Sequence, residues 1–137
     1  MATDTRWIRQ AAAIPVRDSQ VCLVTSSNGR RWVVPKGMME PGKTSGEIAL
    51  QEAWEEAGLV GTLLPQPIGT YFYDKYGGTC HVTVYRLDVT EVLEEWPEAR
   101  VRRREWVSAD EAIDRIGEPG LRDLLRQALA IECGLPG

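Results

Sequence analysis

Cysteine, histidine and long apolar runs are all scarce in this chain of 137 residues. Its three cysteines, Cys22, Cys80 and Cys133, are far apart and odd in number, which argues against a disulfide framework or a cysteine-rich metal site and fits a reducing cytosol. No apolar run approaches the roughly 20 residues that a membrane-spanning helix needs. The first residues, MATDTRW, lack the basic-then-apolar pattern of an export signal. We therefore expect a cytoplasmic protein with no membrane partner.

Positive charge is also in short supply, since the formal net charge is −4 at pH 7. An acidic chain is a poor general binder of nucleic acid, so we expect no nucleic-acid partner. Arginines are nevertheless clustered at residues 30–31 and 100–104, with Arg6 and Arg9 near the start. Such clusters suit a small polyanionic ligand, although a solvated surface has the same pattern. The length predicts a single domain over residues 1–137, and the oligomeric state is left open between a monomer and a homodimer.

A helix is predicted within residues 37–59, GMMEPGKTSGEIALQEAWEEAGL. Thr44 or Ser45 can cap its start, because a side-chain oxygen there accepts a hydrogen bond from a free backbone N–H. Gly58 suits an end in the left-handed conformation. Apolar residues recur between these ends at three- and four-residue steps, which indicates one buried face. These residues are Ile48, Ala49, Ala53 and Ala57.

Three carboxylates, those of Glu52, Glu55 and Glu56, share another face of this predicted helix. They repel one another by roughly a few tenths of a kcal/mol per pair, and they lie near the negative end of the helix dipole, where acids are disfavoured. A solvated acidic face would explain an arbitrary cluster of this kind. An arrangement that is unfavourable for the helix alone also indicates a bound cation. Ligands that are all oxygen atoms favour Mg²⁺ or Mn²⁺.

The same stretch resembles the Nudix box, a pattern of G, five residues, E, seven residues and then R-E-hydrophobic-x-E-E-x-G-hydrophobic. The positions that match are Gly37, Glu52, Ala53, Glu55, Glu56, Gly58 and Leu59. Two positions depart, because Lys43 stands where the family has Glu and Gln51 stands where it has Arg. In the family those two side chains form an ion pair that braces the loop against the helix. Lys43 and Gln51 could still form a hydrogen bond.

The order of predicted elements is typical of an α+β fold. Strands are predicted at residues 7–16, 21–26, 31–34, 68–76, 79–89 and 101–107, and further helices at residues 108–116 and from 119 or 120 to about 132. Pro15 predicts that the end of the first strand lies at a sheet edge or a bulge. Residues 35–42 are expected to form an irregular loop, and residues 62–67 an extended connector. This order resembles the Nudix fold, a mixed β-sheet sandwiched between α-helices.

Stretches outside the box resemble the branch of the family that hydrolyses diphosphoinositol polyphosphates and long diadenosine polyphosphates. They are RWVVP at 31–35, MEP at 39–41, VTEVLEEW at 89–96, RRREW at 102–106 and DEAI at 110–113. Arginine forks match phosphate oxygens two at a time, so clustered arginines suit such substrates. The resemblance therefore implies Mg²⁺- or Mn²⁺-dependent hydrolysis of a phosphoanhydride in a small polyphosphate substrate.

The resemblance also implies roles for individual side chains. Glu52 and Glu56 would bind the metal, and Glu55 would be a further ligand and the general base that activates water, although any of the three could take the proton. The backbone carbonyl of Lys36, beside Gly37, would complete the metal site. The candidate substrate contacts are Arg9, Ser26, Ser27, Arg31, Lys36, His81 and Arg102. His81, the only histidine, has an equally good interpretation as a structural residue of its strand.

Three functions stay open from the sequence. The first is hydrolysis of a highly phosphorylated substrate, as in the branch that the chain resembles. The second keeps the chemistry but acts on a nucleoside triphosphate or a nucleotide sugar such as ADP-ribose. The third is a binding module with the Nudix fold that has lost turnover, which only Lys43 and Gln51 favour.

Overall fold

A computed structural model describes residues 6–133 of the chain, with side chains as far as residue 130. Within this range the strands and helices alternate in the order expected for an α+β fold. The elements are β1 (Trp7–Arg17), β2 (Gln20–Thr25), β3 (Trp32–Val33), β4 (Lys36–Met38), α1 (Ser45–Ala57), β5 (Leu59–Leu63), β6 (Gly69–Lys75), β7 (Gly78–Val92), β8 (Arg104–Val107), α2 (Ala109–Arg115) and α3 (Pro119–Cys133). Residues 1–5 and 134–137 of the predicted domain, and the side chain of Cys133, lie outside the described residues.

The strands form one mixed sheet, in agreement with the sequence-based prediction. β1 and β7 are parallel neighbours at its centre, in register from Trp7 opposite Thr79 to Val16 opposite Asp88. Antiparallel pairs extend the sheet on both sides: β4 and β2 pair with β1, β3 and β8 pair with β2, and β5 and β6 pair with β7. β1 is buried from Gln10 to Val16, which agrees with its apolar run, whereas burial alternates along most of β7.

Apolar side chains cover both faces of the sheet, so the sheet lies between helices as expected. On one face, α1 packs through Ile48, Ala49, Ala53 and Ala57 against Ala11, Ala13, Leu87 and their neighbours. On the other face, α2 and α3 pack through Ala112, Leu121, Leu124, Leu125 and Ala128 against Ala12, Ile14, Val82 and Val84. Residues of β1 alternate between the two clusters because successive side chains of a strand point to opposite faces.

The ends of α1 lie where the sequence predicts them. Thr44 is the N-cap, and its hydroxyl accepts a hydrogen bond from the Glu47 N–H while the Glu47 carboxylate accepts one from the Thr44 N–H. Gly58 closes the helix with φ of 64°, in the left-handed region that glycine adopts at low cost. The helix that carries the three glutamates is therefore defined by its own caps.

Three expectations about the strands are wrong. Pro15 lies inside the sheet, opposite Leu87, because the β1 pairings with β4 and β2 cover residues 10–12 and 16–17 and leave the proline between them. Residues 35–42 contain a regular strand, β4, which only its pairing with β1 reveals. β5 replaces part of the expected connector, and a bulge at Gly61 hides its strand pattern.

Among the described residues, no helix is long and apolar enough to span a bilayer.

Candidate active site

A polar cavity of about 140 Å³ opens beside the C-terminal end of α1. It is lined by the turn after β2, by β4, by the end of β6 and by the segment before β8. The polar and aromatic side chains around it are those of Gln10, Ser26, Ser27, Asn28, Arg31, Lys36, Glu56, Tyr73, Lys75, Tyr76 and Arg102. The structure thus brings together six of the residues that the sequence predicts for the site, namely Ser26, Ser27, Arg31, Lys36, Glu56 and Arg102.

Basic side chains dominate this cavity. Arg31, Lys36, Lys75 and Arg102 line it with one carboxylate, that of Glu56. Burial lowers the pKa of Lys36, and the nearby carboxylates of Glu118 and Glu56 oppose that effect. Clustered cations of this kind raise the local concentration of anions. The cavity is therefore suited to a phosphorylated ligand.

Two of the three predicted acids, Glu52 and Glu56, are buried, with only 8% and 6% of their surface exposed. Burial raises the pKa of both carboxyls above the ordinary value, and that of Glu56 rises to about 8 although Arg102 partly opposes the shift. Buried carboxylates are costly unless a cation or hydrogen-bond donors compensate them. The pair therefore has the character expected of a cation site.

β4 lies directly against these two carboxylates. The backbone N–H of Lys36 donates a hydrogen bond to Glu56 Oε1 over 3.4 Å. Gly37 faces Glu52 so closely that a Cβ on the glycine would lie 2.4 Å from Glu52 Cδ. Only glycine allows this approach of β4 to α1. The structure thus places Lys36 and Gly37 beside the two glutamates, and their part in a metal site stays a prediction.

The donor atoms fit a hard divalent cation held by few protein ligands. Glu52 and Glu56 supply carboxylate oxygens, and the backbone of β4 lies against both side chains. Within residues 6–130, no group of three or more His, Cys, Asp or Glu side chains is arranged to hold a metal ion by itself. Mg²⁺ commonly uses one or two carboxylates and completes its shell with water and substrate phosphates. The role of Glu55, which is partly exposed, as a third ligand or as the base stays a prediction.

Arg102 is held by three contacts within the protein. Its Nε donates to Glu98 Oε1 over 2.8 Å, its Nη1 donates to the Thr25 carbonyl over 2.9 Å, and its Nη2 lies 3.5 Å from Glu56 Oε2. Arg102 therefore braces the acidic cluster in this structure, and its contact with phosphate stays a prediction. Glu98 was missed from the sequence, although its spacing of four residues from Arg102 was a signal of the pair.

The turn after β2 presents Ser27 and Arg31 to the cavity. The Ser26 hydroxyl donates to Asn28 Oδ1 over 2.8 Å and accepts from the Arg31 N–H over 3.1 Å. Ser26 therefore fixes the shape of the turn, while Ser27 and Arg31 are exposed. A role for all three in binding phosphate stays a prediction.

Arg9 and His81 lie in a different place from the other predicted substrate contacts. They are partners across β1 and β7 and line a separate groove with Trp7 and Phe72. The groove is on the α1 face of the sheet, whereas Gln10 faces the cavity from the opposite side of β1. His81 stacks on Phe72 with ring centroids 4.8 Å apart. Substrate contact by Arg9 and His81 stays a prediction.

Lys43 and Gln51 still connect the loop to the helix. Their side chains are hydrogen-bonded to each other, and Glu40 joins them through a 2.9 Å bond from Gln51 Nε2 and a 3.4 Å ion pair with Lys43. Gln51 Nε2 also lies 3.5 Å from Glu52 Oε2. The expected hydrogen bond between Lys43 and Gln51 is thus confirmed. It joins the same two positions as the ion pair that the resemblance implies, and Glu40 adds to it.

Comparisons with known proteins agree with this architecture. Nudix hydrolase 16, mitochondrial, from Arabidopsis thaliana is 36% identical over 114 residues, covering 77% of this chain and 63% of that protein. Diphosphoinositol polyphosphate phosphohydrolase 3-beta from Bos taurus is 41% identical over 101 residues, covering 71% of this chain and 60% of that protein. The chain thus spans less than two thirds of the length of these relatives.

Solved structures show the same fold. The E. coli ORF135 protein superimposes with a TM-score of 0.73 at 21% identity, covering 97% of this chain and 96% of that one. A C. elegans Ap4A hydrolase binary complex superimposes with a TM-score of 0.71 at 22% identity, covering 93% and 99%. The model of the NUDIX domain matches residues 7–128. With the box helix, the mixed sheet and this match in agreement, the chain belongs to the Nudix family.

Proposed function

We propose that this chain is a divalent-metal-dependent pyrophosphohydrolase that cleaves a phosphoanhydride in a highly phosphorylated small molecule. The observation that carries the proposal is the meeting of a basic cavity with the buried pair Glu52 and Glu56 at the end of one helix. Phosphoryl transfer depends mainly on neutralising phosphate charge and aligning the attacking water. The basic side chains of the cavity would neutralise phosphate charge, and the carboxylates of α1 would align the attacking water.

Each residue has a distinct task in the proposed reaction. Arg31 and Lys75, at the exposed rim of the cavity, bind outer phosphates of the substrate. Glu52 and Glu56 hold a divalent cation, which when bound supplies charge neutralisation and lowers the pKa of water. Glu55, or another of the three carboxylates, accepts the proton of the attacking water. Arg102 keeps Glu56 in place through Oε2, whereas the Lys36 N–H contacts Oε1.

Diadenosine polyphosphates and diphosphoinositol polyphosphates are the proposed substrates, because the chain is similar to a diphosphoinositol polyphosphate phosphohydrolase and shares its fold with an Ap4A hydrolase. Two tyrosines favour the diadenosine compounds. Tyr73 and Tyr76 line the cavity, and Tyr76 is 52% exposed beside the ammonium group of Lys75. An exposed ring next to a cation suits an adenine base followed by phosphate.

The basic lining of the cavity also leaves a second candidate. A nucleoside triphosphate or ADP-ribose presents phosphate groups that Arg31 and Lys75 could bind in the same way. A binding module without turnover has less support, since Lys43 and Gln51 preserve the brace.

A substrate panel tests the proposal. The purified chain is incubated with diadenosine polyphosphates, diphosphoinositol phosphates, ADP-ribose and nucleoside triphosphates, with Mg²⁺ or with EDTA, and products are separated by ion-exchange chromatography. We expect Mg²⁺-dependent cleavage, fastest for diadenosine polyphosphates, and a loss of about 100-fold or more in Glu56→Gln. Glu91→Gln, an exposed acid on β7, is the matched control. Binding without cleavage of any compound would favour the binding module.

A further inference from the structure

The C-terminal end of α1 has backbone carbonyl groups that the helix cannot satisfy by itself. The last four carbonyls of any α-helix lack a partner within that helix. In α1, the N–H of Gly58 donates to the Trp54 carbonyl over 3.0 Å. The next four carbonyls, those of residues 55–58, accept hydrogen bonds from residues 93–104, a stretch that we call the 93–104 segment.

Four hydrogen bonds join the 93–104 segment to the end of α1. Two of the donors are backbone N–H groups and two are side-chain N–H groups, and together they cover four consecutive carbonyls. The bonds are Glu98 N–H to Glu55 O (3.0 Å), Trp96 Nε1–H to Glu56 O (2.9 Å), Arg104 Nη1–H to Ala57 O (2.7 Å) and Leu93 N–H to Gly58 O (2.8 Å).

Arg104 also places positive charge where α1 has none of its own. The last turn of α1 contains no basic residue, although the helix dipole and three glutamates make that end negative. The Arg104 guanidinium lies 4.1 Å from the centre of the Trp96 ring, a distance typical of cation–π contact. Both residues pack on Gly58, where a Cβ would lie 2.8 Å from Arg104 Nη1 and 2.9 Å from Trp96 Cβ.

The 93–104 segment is in turn fixed to the sheet and to the acidic cluster. Backbone atoms of Arg103 and Thr25 form a 3.0 Å hydrogen bond, and the Arg103 N–H donates to Thr25 Oγ1 over 2.9 Å. Arg102 and Glu98 of the same segment form the ion pair that contacts Glu56. A shift of this segment would therefore move both the end of α1 and the side chains beside the cavity.

We propose that Trp96 and Arg104 are positioning residues that hold the last turn of α1, and with it Glu55 and Glu56, in the geometry that the reaction needs. This inference rests on the proposed hydrolysis of a phosphoanhydride. The two residues act through backbone carbonyls, and neither of them lines the cavity. Their contribution is to keep the carboxylates from moving when the last turn of the helix frays, because frayed ends move the side chains that they carry.

Trp96→Phe is the sharpest test, because it keeps an aromatic ring beside Arg104 and removes the N–H donor to Glu56 O. We expect kcat to fall about tenfold while KM changes less than about twofold, since only the reacting geometry is disturbed. The dissociation constant for Mn²⁺, measured by titration calorimetry, should rise about tenfold. Trp54→Phe is the matched control on the same helix, where the side chain is 45% exposed.

A readout without metal or substrate completes the test. The chain has five tryptophans, and the indole N–H signal of Trp96 is assigned in a ¹H–¹⁵N spectrum by its loss in Trp96→Phe. We expect this proton to exchange slowly with solvent in the metal-free protein, and faster in Arg104→Lys, which loses the forked contact to the Ala57 and Leu93 carbonyls. If Trp96→Phe does not fold, kcat and the dissociation constant for Mn²⁺ are measured in Arg104→Lys instead.

The outcomes separate the two proposals. Rapid exchange of the Trp96 indole proton in the parent, or kcat and Mn²⁺ affinity in folded Trp96→Phe equal to those of Trp54→Phe, would overturn the positioning role. If the parent cleaves nothing in the substrate panel, the proposed function fails. Mn²⁺ affinity and indole exchange then still decide whether the 93–104 segment positions α1.

Discussion

Glu56 is buried at the end of α1, where its carboxyl is costly to ionise unless a cation lies beside it. Its carboxyl is 6% exposed, and burial raises its pKa to about 8 from an ordinary 4.5. It still accepts a hydrogen bond from the Lys36 N–H and lies 3.5 Å from Arg102. A group with this pKa exchanges its proton close to neutral pH, where a bound divalent cation would compete with the proton.

The raised pKa predicts how the stability of the metal-free protein depends on pH. The folded-state pKa exceeds the unfolded value, so the folded protein binds a proton that the unfolded chain releases between these two values. Stability from Glu56 is thus fully present at low pH and is lost as pH rises toward about 8. We expect the free energy of unfolding, from urea titrations in EDTA, to fall between about pH 5 and pH 8.

Glu56→Gln is the comparison for this pH dependence. An amide does not titrate, so the fall in stability over the same pH range should be smaller in the variant than in the parent. The Glu91→Gln protein controls for the loss of one surface carboxylate. Parallel curves for the parent and Glu56→Gln would show that the carboxyl titrates normally and is not buried as described.

The approach of β4 to α1 is the contact between elements that shapes the site. Gly37 of the strand packs directly against the Glu52 side chain of the helix. The loop between them is held by the cluster of Lys43, Gln51 and Glu40. Exposed contacts of this type add little to stability. Their effect is to fix the loop and orient Glu52, whose Oε2 lies 3.5 Å from Gln51 Nε2.

Gly37→Ala should separate activity from stability. A Cβ at this position would lie 2.4 Å from Glu52 Cδ and 2.7 Å from its Oε2, so the carboxylate must move. A displacement of about 1 Å in a catalytic group can cost roughly 100-fold in rate, and we expect a loss of that order in kcat with folding retained. Gly117→Ala, where a Cβ would have open space, is the control. Equal rates in the two variants would contradict the close approach.

The molecule as a whole consists of one sheet with a separate apolar cluster on each face. The cluster with α1 supports the glutamates, and the cluster with α2 and α3 stabilises the opposite face. The central pair β1 and β7 contributes side chains to both. The two faces therefore depend on a common sheet, while Glu52 and Glu56, on α1, depend directly on only one of them.

Leu125→Ala tests this division. Leu125 of α3 is fully buried in the cluster across the sheet from α1. We expect the free energy of unfolding to fall by about 2–5 kcal/mol, measured by urea titration, with kcat little changed below the unfolding midpoint. Leu50→Ala, a matched change at a residue of α1 that is 38% exposed, should cost no more than about 0.5 kcal/mol. Similar costs for both variants would mean that α3 does not pack as described.

Much of the site could be predicted from local sequence. The caps at Thr44 and Gly58, the spacing of Glu52 and Glu56 and the apolar stripe of α1 are properties of neighbouring residues, and the structure confirms each of them. The mixed sheet between helices also followed from the order of elements and from the resemblance to the Nudix box. Local pattern suffices in these cases because helices are built from contacts three and four residues apart.

What the sequence alone determined about this protein is its family, its α+β class and the helix that carries the acids, because each follows from short-range spacing. The tertiary structure decided which residues meet across the fold. It showed that β4 pairs with β1, that Pro15 lies inside the sheet, and that Arg9 and His81 line a groove apart from the cavity. It also joined the 93–104 segment to the end of α1. These contacts link residues far apart in the chain, and only the packing of the sheet brings them together.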